Sequence, residues 1–146
     1  MIDQMSYIDD PFRAIAEEIL AENVRTEIAA PWFQAEIMRR YQQRYGSLDG
    51  RITRYLANGG VGGLSHNLLK RDRKIAGLRV PERIYVQTRK VYRPTLICSE
   101  DDLRSNAVHL GRSIKADQIR RNVILELADI VHAAGVKRVG DLDGVE

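Results

Sequence analysis

Cysteine, proline and phenylalanine are scarce in this chain of 146 residues, at one, four and two copies. With Cys98 alone, an internal disulfide and a multi-cysteine zinc site are both excluded, and a reducing compartment is the natural setting. Cys98 ends the run Leu96-Ile97-Cys98, where a small buried hydrophobe is expected. No apolar run approaches the ~20 residues of a membrane span. The opening Met1–Asp10 lacks a basic section followed by an apolar one, so no secretory signal is expected. The chain is therefore expected to work in the cytoplasm, away from membranes. His66, His109 and His132 have no second His or Cys at ligand spacing, so neither a zinc site nor another cofactor is expected. There is no internal repeat.

What is present in excess is cationic charge in one place. Residues 1–36 carry two basic and eight acidic side chains, and residues 95–146 carry seven and nine. Residues 37–94 hold 14 of the 23 Lys and Arg against only Asp49, Asp72 and Glu82, a local charge of +11. Such self-repulsion must be offset by solvent, by the acidic flanks or by a polyanion. Arg outnumbers Lys 18 to 5, and its planar fork suits phosphate and the guanine edge. Pairing of the acidic first helix with the basic segment inside the fold is the competing account.

Spacing predicts the elements. Asp9-Asp10-Pro11 is a helix start, and Phe12, Ile15, Ala16, Ile19, Leu20 and Val24 follow at helical period, giving a helix over about 10–25. Pro31 opens a second helix with Trp32 or Phe33, Ile37, Met38 and Tyr41 inward, ended by Gly46. Ser47 caps a third, with Leu48, Ile52, Tyr55 and Leu56 inward. Gly59–Gly63 reads as a hinge, and residues 65–76 read as a fourth helical piece. Residues 83–88 and 91–97 alternate as strands and form a hairpin with Arg89-Lys90 at its tip. Ser99 with Asp102 resembles a capping box. Leu103, Ala107, Leu110 and Ile114, then Ile119, Val123, Leu127, Ile130 and Ala134, make one long helix or two packed ones.

Helix, helix, turn, helix and basic hairpin together resemble a winged helix-turn-helix domain over roughly residues 10–97. The expected fold class is mainly α with a small β-hairpin, in which residues 1–98 form a basic nucleic-acid-binding domain. Residues 99–146 would add a helical element for oligomerisation or packing. The resemblance implies double-stranded DNA as partner, with Arg51 and Arg54 facing bases and Arg89 and Lys90 at the wing tip. Arg39, Arg40, Arg44, Arg71 and Lys74 would meet phosphate, with Lys70, Arg73 and Arg93 completing the cationic set. The pattern departs from the family at 59–76, which intervenes before the wing. That insertion makes Lys70 to Lys74 rivals for the groove-reading role.

These residues point to a non-enzymatic DNA-binding protein, a transcriptional regulator or a phage or mobile-element recognition factor. Residues 99–134 are expected to pair copies into a homo-oligomer. Two readings compete. One is an adaptor or inhibitor docking onto a nucleoprotein complex. The other is a metal-independent, toxin-like ribonuclease using Tyr85, Tyr92 and His66. A metal-dependent nuclease needs clustered carboxylates, and the three scattered acids of the basic segment form no cluster. The glycine stretch 59–63 lacks the Gly-Lys-Ser/Thr ending of a phosphate-cradling loop. The tyrosines in the segment suit either base stacking or core packing.

Overall fold

The computed structural model describes residues 4–46, 59–110 and 115–144. Its helices are α1 (Gln4–Glu22), α2 (Ala30–Tyr45), α3 (Gly60–Leu69), α4 (Glu100–Leu110) and α5 (Lys115–Ala134). Its strands are β1 (Asp72–Ile75), β2 (Leu78–Pro81), β3 (Arg83–Val86) and β4 (Val91–Pro94), paired antiparallel as β1–β2 and β3–β4. The chain is thus mainly helical with two small hairpins, one more than its sequence predicts.

Two compact units divide the chain. The first holds α1, α2 and α3. The second holds the short segment Arg25–Glu27 and everything from Lys70 onward. The expected division at residue 98 thus differs from the observed one, because the helices after it share a core with both hairpins.

In the first unit Phe12, Ile15, Ala16 and Ile19 are buried at helical spacing, as expected. α1 starts earlier than expected, so Pro11 lies inside it. Proline there removes one backbone hydrogen bond but does not end the helix. α1 stops at Glu22, where the Asn23 amide N–H donates to Leu20 O and its side-chain amide to Ile19 O. These bonds satisfy carbonyls that a helix end leaves open. Val24, assigned to the stripe by its spacing, lies beyond this stop and is exposed. Pro31 sits in the first turn of α2, Phe33, Ile37 and Tyr41 are buried, and Gly46 closes the helix at φ +77°. Phe33 is the inward residue and Trp32 is half-exposed. The Phe12 and Tyr41 rings stack at 4.3 Å, so Tyr41 is a core residue.

The glycine-rich stretch is not a hinge. α3 runs through Gly60, Gly62 and Gly63 and ends at Leu69. Each glycine costs about 1 kcal/mol in a helix. Val61, Leu64, Leu68 and Leu69 are buried in compensation, each worth about 1.5–3 kcal/mol. The expected helix over 47–58, with Arg51 and Arg54, lies outside the described residues.

The expected helix over 65–76 is also corrected. Residues 72–81 fold back as β1–β2, with Ile75 facing Leu78 across Ala76-Gly77. Both turn residues have positive φ, the requirement of a two-residue type I′ turn. Ile75 and Val80 point inward while Lys74 and Arg79 point out, so the period here is two. In β3–β4, Tyr85 faces Tyr92 and Val86 faces Val91. The two hairpins are tied by Thr95, whose N–H donates to Glu82 O and whose hydroxyl donates to Pro81 O at 2.6 Å.

α4 opens with the expected reciprocal cap: Ser99 N–H donates to Asp102 and Asp102 N–H to the Ser99 hydroxyl. Ion pairs Glu100–His132 and Arg104–Asp129 step oppositely along α4 and α5, which makes the two helices antiparallel. The second unit's core joins Ile75, Val80, Ile84, Leu96 and Cys98 to Leu103, Ala107, Ile124, Leu127, Ala128 and Val131. The stripe read from spacing is rotated: Ile124, Ala128 and Val131 are the inward partners of Leu127, while Ile119 is exposed. Of the apolar residues from which pairing of copies was expected, Leu103, Ala107 and Leu127 are buried within the chain. Cys98 is buried as expected, which raises its thiol pKa to about 12.

Among the described residues no helix is long and apolar enough to cross a membrane.

Candidate functional site

Ten of the twelve sequence-predicted contact cations fall within the described residues, and six of those are engaged by carboxylates. On α2, Arg40 meets Glu22 at 2.7 Å and lies near Glu18 and Glu36. Arg44 meets Glu18 at 2.6 Å, and Arg39 pairs with Glu36. Glu18 and Glu22 are one turn apart on α1, as Arg40 and Arg44 are on α2, so antiparallel packing brings them together. The hydrogen bond from Arg40 holds the Glu22 carboxyl below the usual range, and Arg39 does the same for Glu36. The acidic first helix therefore neutralises the cationic face of the second.

In the second unit Arg71 bonds Glu82 at 2.6 Å. Arg89 and Arg93 converge on Glu27, at 2.9 and 3.1 Å, and Arg93 also meets Asp102 at 2.8 Å. Burial works against the charge on Arg93, but Glu27 and Asp102 together hold its pKa above the ordinary value. Lys70, Lys74 and Lys90 have no carboxylate partner among the described residues, and Arg73 is half-buried on β1.

One concavity differs from these neutralised regions. It has a volume of about 340 Å³ and is lined by Lys70, Arg83, Arg120, Tyr85, Tyr92 and Asn106 over an apolar floor of Pro81, Ile84 and Leu110. Among the described residues three cations and no carboxylate line it. The pleat explains its wall: Arg83 and Tyr85 are two apart on β3, and Tyr92 is the cross-strand partner of Tyr85, so all three share a face. The two rings lie 5.1 Å apart. Asn106 comes from α4 and donates its amide to Tyr85 O at 3.3 Å. Tyr85 is 42% exposed, whereas burial, followed by the Tyr85 hydroxyl, raises the Tyr92 pKa.

Arg83 is the unusual member. Only 6% exposed, it donates to Thr26 O at 2.9 Å. Burial pulls its pKa down to about 10, with Glu82 opposing and Arg71 adding to the fall. It remains charged at neutral pH, at a desolvation cost on the order of 3 kcal/mol.

A second concavity of about 440 Å³ adjoins the first, sharing Ile84, Tyr85 and Asn106 and adding Thr88, Arg89, Arg93, Asp102, Ser105 and His109. Its arginines are the pair held by Glu27, so it offers less open charge. Among the described residues no group of three or more His, Cys, Asp or Glu side chains gathers to hold a metal ion.

Of the cations that spacing and charge nominated, Lys70 lines this concavity; Arg83, Arg120 and Asn106, which also line it, were not among the nominated residues. Arg83 reads as an ordinary alternating strand residue. Arg120 lies 50 residues from Lys70 in a different helix. The signal available for Arg83 was its position two residues before Tyr85 on a predicted strand. No protein-family model, curated protein or solved structure matches this chain.

Proposed function

We propose that this protein binds nucleic acid through the groove beside β3, without catalysing a reaction. The observation that carries this reading is the concavity where Lys70, Arg83 and Arg120 meet two tyrosines with no carboxylate among the described residues of its lining. Cations neutralise phosphate, and aromatic faces accept bases. Exposed Lys74 and Lys90 lie on the same unit.

The finer reading is a winged-helix DNA-recognition factor of a regulator, phage or mobile element. It would take β3–β4 as the wing. That hairpin belongs to the compact unit of α4 and α5, separate from α1–α3. The proposal accordingly rests on the groove and not on winged-helix geometry.

The test is a salt titration of binding to duplex DNA, single-stranded DNA and RNA in parallel. Contact of three phosphates gives a slope of log K against log salt of about −3 on duplex and about −2 on single strands. Salt-independent affinity, or none at low salt, overturns the proposal.

A second reading has one observation in its favour. His109 lines the adjoining concavity with Tyr85, Arg89 and Ser105, a set able to move protons at an RNA 2′-hydroxyl without metal. His66, favoured by the sequence, lies on α3 and lines neither concavity. RNA that stays intact in chelator excludes this reading; cleavage lost in His109→Ala supports it.

A further inference from the structure

We propose that the concavity beside β3 takes one unpaired nucleotide of a single strand, with phosphate against Lys70 and Arg120 and base against Tyr85. The inference rests on the nucleic-acid reading and narrows it from polyanion in general to unpaired nucleotide.

Three observations support it. The first is recess. A duplex offers its phosphates on outward ridges, which long exposed side chains meet. Arg83, 6% exposed on a short strand, cannot reach out to such a ridge. An unpaired nucleotide can bring its charge inward, where a duplex ridge cannot follow. The space of about 340 Å³ lies within the ~300–1,000 Å³ of small-molecule sites.

The second is the division of chemistry. Cations, aromatic rings and the apolar Leu110 line the same space. Phosphate alone needs no ring or apolar floor, and an apolar ligand needs no cations. A nucleotide uses both. Tyr85 keeps 42% of its surface exposed although its cross-strand neighbour Tyr92 is largely covered, so one ring face is open to stacking. Asn106 carries a side-chain carbonyl able to meet a base edge.

The third is electrostatic. The desolvation that lowers the Arg83 pKa to about 10 is relieved by an anion entering beside it.

The test is fluorescence anisotropy with a labelled 12-mer single-stranded DNA, the same sequence as RNA, and its duplex. Unlabelled mononucleotide and inorganic phosphate serve as competitors. Either single strand should bind at least tenfold more tightly than duplex, and mononucleotide should compete better than phosphate. Tyr85→Ala should weaken single-strand binding roughly 5- to 150-fold, the range of one base–aromatic stack, while Tyr85→Phe retains it. Arg120→Ala should weaken it about tenfold; Arg120 has no ion-pair partner among the described residues, so the fold is not at risk. Duplex binding equal to or tighter than single-strand binding overturns this inference and leaves the nucleic-acid reading standing. Absence of binding to all three overturns both. Equal loss in Tyr85→Phe and Tyr85→Ala also overturns it, because the hydroxyl and not the ring would then be the contact.

Discussion

The seam between α1 and α2 and the groove beside β3 use arginine in opposite ways. In the seam, Arg40 and Arg44 are matched by Glu18 and Glu22 across two antiparallel helices. In the groove, Lys70, Arg83 and Arg120 line a concavity with no carboxylate among its described lining residues. Both regions contribute to one run of local charge of +11, yet their cations have different surroundings. A count of cations along a sequence therefore overstates what a polyanion can reach. Carboxylates distant in sequence, such as Glu27 beside Arg89 and Arg93, cancel part of it.

The largest effects should come from the cores, and they should separate the two units. Phe33→Ala removes a ring that is 0% exposed and should cost the helical unit about 3–5 kcal/mol, read from Trp32 fluorescence during denaturation. Leu127→Ala should cost the second unit about 2–5 kcal/mol. Its readout is alkylation of Cys98, which is slow at pH 8 while burial holds the thiol near 12 and fast once that core opens. Because the folded thiol pKa is raised above 9, this stabilising term is full below pH 9 and is lost as pH rises toward 12. Rapid labelling of the folded wild type would break the comparison.

Binding should divide along the same line. Arg44→Ala, in the seam, should change nucleic-acid affinity less than twofold. Arg120→Ala should change it about tenfold, some 1.4 kcal/mol. Equal losses would mean that the seam, too, faces the ligand.

A smaller effect tests the seam itself. Arg40→Ala should destabilise the helical unit by about 1 kcal/mol, with the loss shrinking in high salt. Glu22 and Glu36 have folded-state pKa values below 4.5, so their contribution is present above pH 4.5 and disappears as pH falls through the lowered values. Acid melts of wild type and Arg40→Ala should converge there.

The smallest effect has the opposite sign. A Cβ at Gly63 would meet nothing within 4 Å, so Gly63→Ala should stabilise α3 by about 0.5–1 kcal/mol in thermal melts. Destabilisation would show that the glycine serves a purpose other than helix geometry.

Much of the fold was legible wherever a local rule had no competitor. The stripe Phe12–Ile15–Ala16–Ile19, the Pro31 start, the Gly46 stop, the Ser99–Asp102 cap and the β3–β4 hairpin all follow from nearest-neighbour chemistry. Residues 59–81 were not legible. Four glycines suggested a hinge, but burial of Val61, Leu64 and Leu68 outweighed their propensity. Leu68, Leu69 and Ile75 also fit a helical period by coincidence, which concealed the Ala76-Gly77 turn.

Sequence alone determined that the chain is mainly helical, that it carries a hairpin after residue 80, and that its cations concentrate between residues 37 and 94. These properties depend on side chains close along the chain or on simple sums. Only the tertiary structure decided which cations remain available. A carboxylate cancels an arginine at a distance of 3 Å, and whether Glu22, Glu27 or Asp102 comes that close is set by packing. The same packing brings Lys70, Arg83 and Arg120, far apart in the sequence, to one concavity.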